Sequence, residues 1–404
     1  MKASSRHILL IDYLRGVAII SIFLYHCLGL AYGVTSLPWE WLRRGFSAPA
    51  SFIALLPVHF GFLGVPMFFV ISGFCIHLSF NQQGQEWISF FIRRFFRIYP
   101  AYLLTFILLL PFYARDFREA WFQFKYHALL IHNFNPATEW GVNGALWTIA
   151  VEVQLYLVYP LLLWSVGRFG WTRTLTALAA CEIFLDLWDD ALYQLTAYSG
   201  YNIFSPSLLW KVSPIVDHFI RPSPLGYWFS WSLGAYAANA FIQGRQLPLA
   251  KSSMSFWVFL IVVSYFTVLL APFSFLLYAL LTTKIISKCL ASAGELSQEP
   301  NLWLRLLRRT GLYSYSIYLI HLPLLESLAG FLREANPRFW QFLIFSLCVI
   351  SWLVVMPLAG LCYRFIEQPG IVFGKQIIQK MAQNKKISPQ GNPASASSKE
   401  KIES

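Results

Sequence analysis

Runs of about twenty residues with almost no charge recur along the whole chain, and they constrain it more than any single motif. In hydrocarbon the backbone must satisfy its own polar groups, so such runs span a bilayer as helices, each about 20 residues long. Ten segments meet that description: about 8–31, 59–80, 97–114, 145–166, 173–188, 225–243, 254–271, 273–290, 312–332 and 340–363. The seventh and eighth are parted only by Ala271-Pro272-Phe273, a tight hairpin. A further aromatic stretch, 121–134, is too short to span and reads as re-entrant or interfacial. Composition agrees. Apolar residues make up 57%, charged residues 12%, and mean hydropathy is +0.54, against roughly 25% charged residues in an average soluble protein. This excludes an ordinary soluble enzyme and a disordered chain. The expected fold class is all-α, a polytopic membrane protein of about ten transmembrane helices.

Charge orients it. With the N-terminus in the cytoplasm, 21 of the 31 Lys and Arg residues fall on the cytoplasmic side and nine on the other, with Arg15 inside a span. That bias predicts both termini cytoplasmic. The net charge of +12 then reflects topology, and the expected partner is the lipid bilayer rather than nucleic acid. The six cysteines lie in or beside apolar segments without paired spacing, and read as small apolar core residues. No metal-ligand spacing occurs. The first apolar run carries Asp12 and Arg15 and no small-residue cleavage site, so it reads as a retained helix. Residues 1–374 read as one membrane domain, and 375–404 as a disordered, basic, Ser-rich cytoplasmic tail. That leaves no room for a second soluble catalytic domain.

Ionisable groups inside a span are costly and mark candidate sites. The first span holds Asp12, Arg15 and His26. Asp12 and Arg15 are i,i+3 neighbours able to pair. Arg15 and His26 are eleven residues apart, which returns to within about 20° of the same face at roughly 16 Å along the axis. One face therefore offers a cation near the inner surface and an imidazole near the outer half, suited to an elongated anionic ligand. A structural Asp–Arg pair with a core histidine is the other reading. Glu152, in the fourth span, is placed at about the depth of His26, where a carboxylate can orient an imidazole.

Ser72 and Gly73 close the run Phe68-Phe69-Val70-Ile71-Ser72-Gly73-Phe74. Gly73 permits close approach of a helix or a ligand. Arg93, Arg94 and Arg97 open the third span and can grip phosphates through forked donors, or serve as a positive-inside anchor. Arg305, Arg308 and Arg309 form a second basic cluster for the same ligand or for anionic headgroups. The segment 189–224, with Asp189, Asp190, Lys211, Asp217 and Arg221, is the best-placed stretch for outer contacts.

These motifs, in order, resemble the bacterial membrane acyltransferase-3 family. The matches are Asp12, Arg15, Gly16, Ala18 and His26; the Phe68–Phe74 run; Arg93-Arg94 with Arg97, Pro100 and Tyr102; Trp147 with Val151-Glu152, Gln154 and Tyr156; Ser314-Tyr315-Ser316-Ile317-Tyr318-Leu319-Ile320-His321 with Pro323; and Glu367-Gln368-Pro369. Pro66 stands where the family usually has an acidic residue, and Val153 where many members have a second Glu. The resemblance implies a bacterial inner-membrane O-acyltransferase without an added hydrolase-like domain. Its co-substrate would be acetyl-CoA or another short acyl-CoA, with no tightly bound cofactor. Its acceptor would be a hydroxyl of a sugar, surface glycan or lipid-linked saccharide.

On this reading His26 and Glu152 are catalytic, with His26 a general base or an acylated nucleophile. Arg15, Ser72, Gly73, Arg93, Arg94, Arg97 and Tyr102 bind the acyl donor. Trp147, Gln154 and Tyr156 are candidates for the transition state or acceptor, and His321 is structural. The competing expectation is a proton-coupled transporter or flippase of glycan or lipid intermediates, which the same intramembrane charges would suit.

Overall fold

The computed structural model describes residues 5–32, 57–82, 84, 86–198, 223–266, 270, 273–291, 301–335 and 340–387. All regular structure among them is helical. In chain order the helices are α1 (Ser5–Tyr32), α2 (Gly64–Gln82), α3 (Trp87–Tyr113), α4 (Phe117–Ala128), α5 (Pro136–Glu139), α6 (Trp147–Tyr198), α7 (Trp228–Ile242), α8 (Met254–Phe266), α9 (Ser274–Ala291), α10 (Leu302–Leu312), α11 (Ser314–Ala335), α12 (Trp340–Ile350), α13 (Trp352–Cys362) and α14 (Gln368–Ile387). A π-helical turn, Tyr363–Glu367, joins the last two.

Seven segments are long and apolar enough to cross a bilayer. One of them, Trp147–Leu185, is broken at Gly170, whose φ of 80° and ψ of 163° end one helix and start another. The shorter helices α7 and α8 match two further expected segments. Each of the ten expected segments thus contains helix, and the protein is an all-α polytopic membrane protein. Outward-facing Leu108, Phe112, Trp164, Phe342 and Leu353 are exposed and apolar, a surface that needs hydrocarbon around it. The helix α10 differs: Arg305, Arg308 and Arg309 alternate with Leu302, Trp303 and Leu306, an amphipathic pattern suited to the surface of a membrane.

Small residues let the central helices close up. A Cβ on Gly73 would lie 1.9 Å from the Trp231 carbonyl oxygen, and one on Gly234 would lie 1.9 Å from the Val70 carbonyl oxygen. The crossing of α2 and α7 therefore admits only glycine on both sides. Helix α1 packs on α2, α10, α11 and α12. Its Asp12 is buried and pairs with Arg308 of α10 at 3.9 Å.

The stretch 121–134 lies in a helical hairpin packed against α3 and α6. Asp116 caps α4 by accepting from the Glu119 N–H at 2.8 Å. The helix then dives beside α3, where the Tyr99 hydroxyl donates to the Ala128 carbonyl at 2.9 Å. Leu130 turns the chain with a φ of 56°. Gln154 of α6 clasps the turn, donating to the Leu130 carbonyl and to Asn133 Oδ1, each at 2.9 Å. At the tip, His127 and His132 stack with centroids 4.1 Å apart, and both are fully buried. Burial pushes His127 down to about 4 and His132 well below the usual histidine range.

The expected tail boundary at 375 shifts. Helix α14 continues to Ile387 because Gly370 and Gly374 let it lie against Phe96 of α3, and Phe373 packs edge-on to Phe96 at 5.1 Å. Residues 388–404, Lys211, Asp217, Arg221, Ala271 and Pro272, and the side chains of Asp189 and Asp190, lie outside the described residues.

Candidate active site

A cavity opens where α1, α2, α3, α6 and α11 meet. At the end nearest the start of α1 it is lined by Arg15, Arg94 and Arg97. Arg94 and Arg97 are three residues apart and share a helical face. Arg93 is turned about 100° away, does not line the cavity, and has Glu86 as its charge partner. Arg15 reaches across to α2, with Nη2 3.4 Å from Cys75 Sγ. Arg97 has the Glu367 and Glu152 carboxylates as electrostatic neighbours. Arg94 is flanked by two like charges of its own helix, and its Nε is buried without a hydrogen-bond partner. Three guanidinium groups so placed strongly favour an anion between them.

Midway along, Glu152 Oε1 accepts from Ser72 Oγ at 2.6 Å and from the Tyr156 hydroxyl at 2.5 Å. Ser72 Oγ in turn accepts from Trp231 Nε1 at 3.3 Å. One turn before Glu152, Thr148 Oγ1 lies 2.6 Å from the Tyr318 hydroxyl, and Tyr318 donates to the Ala145 carbonyl at 2.9 Å. Tyr318 closes this end of the cavity. Beyond it stand His26 and His321, with ring centroids 5.3 Å apart, and Tyr318 lies 5.6 Å from His321.

The expected donor-binding and catalytic residues therefore divide into three groups. Arg15, Ser72, Arg94, Arg97, Glu152 and Tyr156 converge on the cavity. Gly73, Tyr102 and Gln154 do not line it. The surface of Gly73 is spent on the α7 crossing. Tyr102 donates to the His127 carbonyl at 3.2 Å, and Gln154 clasps the turn, so both serve the hairpin. Trp147 packs on Tyr227 at 5.5 Å, also outside the lining. The third group is His26, which does not line the cavity either: the hydrogen bonds of Glu152 go to Ser72 and Tyr156, and the imidazole beside His26 is that of His321.

Sequence reasoning missed Thr148 and Tyr318 as lining groups. The signal was their position: Thr148 is one turn from Glu152, and Tyr318 lies inside the Ser314–His321 motif. Glu367, from the closing motif, is buried in the π-helical turn and accepts from Ser316 at 3.0 Å. It thus ties the chain's last motif to the arginine end.

The comparisons with known proteins agree with this arrangement. The acyltransferase-3 family model, described as an acyltransferase domain, matches residues 8–356. Similar proteins include the putative peptidoglycan O-acetyltransferase YrhL of Bacillus subtilis, 24% identical over 90% of this chain and 55% of its own length. The peptidoglycan O-acetyltransferase OatA of Listeria monocytogenes is 26% identical over 91% of this chain and 56% of its own. Nodulation protein 10 of Rhizobium leguminosarum is 24% identical over 85% of this chain and 90% of its own. The chain spans about half the length of the first two. No solved structure matches. With its family motifs gathered around one intramembrane cavity and the family match running through nearly all its spans, the chain belongs to the acyltransferase-3 family.

Proposed function

We propose that the protein is an integral-membrane O-acyltransferase, moving an acyl group, acetyl above all, from cytoplasmic acyl-CoA to a hydroxyl of a sugar, glycan or glycolipid. The observation that carries this is the cluster of Arg15, Arg94 and Arg97 at one end of a cavity that Tyr318 closes at the other, with His321 and His26 packed behind Tyr318. In the bacterial inner membrane, with both termini cytoplasmic, the arginine end faces the cytoplasm. The phosphates of the donor dock there, and its pantetheine arm runs past Ser72 toward Tyr318. The relatives named peptidoglycan O-acetyltransferases support a glycan acceptor.

His26 takes the proton of the acceptor hydroxyl as its oxygen attacks the thioester carbon. The carbon–sulfur bond then breaks and the thiolate leaves, finally protonated. The alternative route acylates His26 first. Both routes need a neutral imidazole with one free lone pair. Glu152 acts differently from the sequence expectation. Held by Ser72 and Tyr156, it sets a negative charge opposite Arg97 and keeps the cation cluster tolerable when no donor is bound.

The test is transfer of label from acetyl-CoA into the glycan and lipid fractions of membranes carrying the wild type or His26→Ala, at equal insertion. Label in a glycan fraction with the wild type alone supports the reading. Equal labelling by both, or none with the wild type, overturns it.

A further inference from the structure

The two histidines behind Tyr318 are not equivalent. His321 Nδ1 lies 2.9 Å from the Tyr318 carbonyl oxygen and 3.1 Å from that of Ile317. Carbonyl oxygens only accept, so Nδ1 carries the proton, and in the neutral ring Nε2 holds a bare lone pair. That Nε2 is fully buried and has no hydrogen-bond partner, an arrangement that costs stability unless something uses it.

Three rings surround His321: Phe23 at 6.5 Å, Tyr318 at 5.6 Å and His26 at 5.3 Å between centroids. Phe23 has no polar atom. The Tyr318 hydroxyl is already engaged by Ala145 and Thr148. His26 is the ring left with an N–H to offer. The bond is not made in this structure, where His321 Nε2 is unpartnered and the two ring planes stand at 50°. The 5.3 Å between centroids is the span of a hydrogen bond of about 3 Å with about 1 Å from nitrogen to centroid on each side, so a rotation of the His26 ring closes it.

The helix is built to hold His321 in place. Pro323 has no N–H, so the Leu319 carbonyl loses its helical partner. Asn143 Nδ2 supplies a replacement at 2.9 Å, which locks this turn of α11 to the loop before α6.

We infer that His321 is a positioning residue for His26: its backbone-fixed Nδ1–H leaves Nε2 as the acceptor for one N–H of His26, so that the other His26 nitrogen presents its lone pair to the reacting hydroxyl or thioester. When His26 takes up the hydroxyl proton, the same acceptor stabilises the imidazolium. This rests on the acyl-transfer reading and gives His321 the orienting task that the sequence assigned to Glu152.

Two substitutions separate the two nitrogens. His321→Asn places an amide N–H near Nδ1 and nothing at Nε2. His321→Gln places an amide oxygen near Nε2. His321→Leu removes both and fills the space. The full chain in membranes is assayed for label transfer from acetyl-CoA over a range of donor concentrations. The expected result is a fall in kcat of about a hundredfold for Asn and Leu, with KM for acetyl-CoA within about twofold, and recovery of at least tenfold in Gln over Asn. Asn active to within about threefold of the wild type, or Gln no better than Asn at equal insertion, overturns the inference. An active His26→Ala variant removes the role of His26 and overturns the inference with it, whereas absence of label transfer by the wild type removes the acyl-transfer reading, so the two failures are distinguishable.

Discussion

Ser72 and Glu152, 80 positions apart in the chain, share a 2.6 Å hydrogen bond that joins α2 to α6 across the cavity. A hydrogen bond to a charged acceptor contributes about 1.5–3 kcal/mol. Ser72→Ala also strips Trp231 Nε1 of its acceptor. The expected outcome is a loss of about 2 kcal/mol, read as a clear drop in the thermal unfolding midpoint in a fixed detergent. An unchanged midpoint would show that the bridge carries no weight in the fold.

Neighbouring arginines separate donor binding from topology. Arg94 lines the cavity and Arg93 does not. Arg94→Gln and Arg97→Gln should each weaken acetyl-CoA binding by roughly ten- to a hundredfold, the equivalent of one or two charge-assisted hydrogen bonds. Arg93→Gln should change it less than threefold. Titration calorimetry at two salt concentrations checks this, since a phosphate site also loses affinity as salt rises. Equal effects at all three positions would point to a diffuse positive surface.

Two glycine substitutions should have opposite signs. A Cβ at Gly73 meets the Trp231 carbonyl, so Gly73→Ala is expected to destabilise by about 1–3 kcal/mol through overpacking. A Cβ at Gly167 meets nothing within 4 Å, and Gly167→Ala should stabilise its helix by up to about 1 kcal/mol. Unfolding midpoints of the two variants, against the wild type, give the comparison.

The hairpin of residues 117–139 should loosen in acid. His127 is held neutral by burial down to about 4, whereas an unfolded histidine takes up its proton near 6.5. The unfolded state therefore binds more protons between those values, so stability is full above about 6.5 and falls as pH drops toward 4. His132 adds to the same trend. Hydrogen exchange of residues 117–139 should accelerate across that window. In His127→Phe, which keeps the stack on Phe106, the dependence should flatten. A pH-independent exchange rate would contradict the assignment.

Much of this was legible in the sequence because membrane physics writes plainly. Apolar runs announced the helices, and the ordered motifs announced Arg15, Ser72, Arg94, Arg97, Glu152 and Tyr156, which line one cavity. The abundance of aromatic residues, with Trp 16, Tyr 20 and Phe 36, hid what each one does. Tyr102 and Gln154 sit in motifs beside real cavity residues, yet helical rotation turns both toward the hairpin. Glu152 and His26 were given the same depth by counting from helix ends. Counting cannot see the turn of offset introduced where Thr148 and Tyr318 fill the level between them. His321 looked structural beside Pro323. Only the three-dimensional arrangement, with Asn143 satisfying the carbonyl that the proline frees, shows why that turn is held so firmly.

A donor held at the arginine end of the cavity, with its acyl group passing Tyr318 to reach His26, must enter from the cytoplasmic face. Sealed vesicles of both orientations test it directly, with labelled acetyl-CoA added outside. Inside-out vesicles, which expose the cytoplasmic face, should label their glycan fraction at once. Right-side-out vesicles should label only after permeabilisation. Labelling of intact right-side-out vesicles at the same rate would place the donor site on the wrong face and contradict the account.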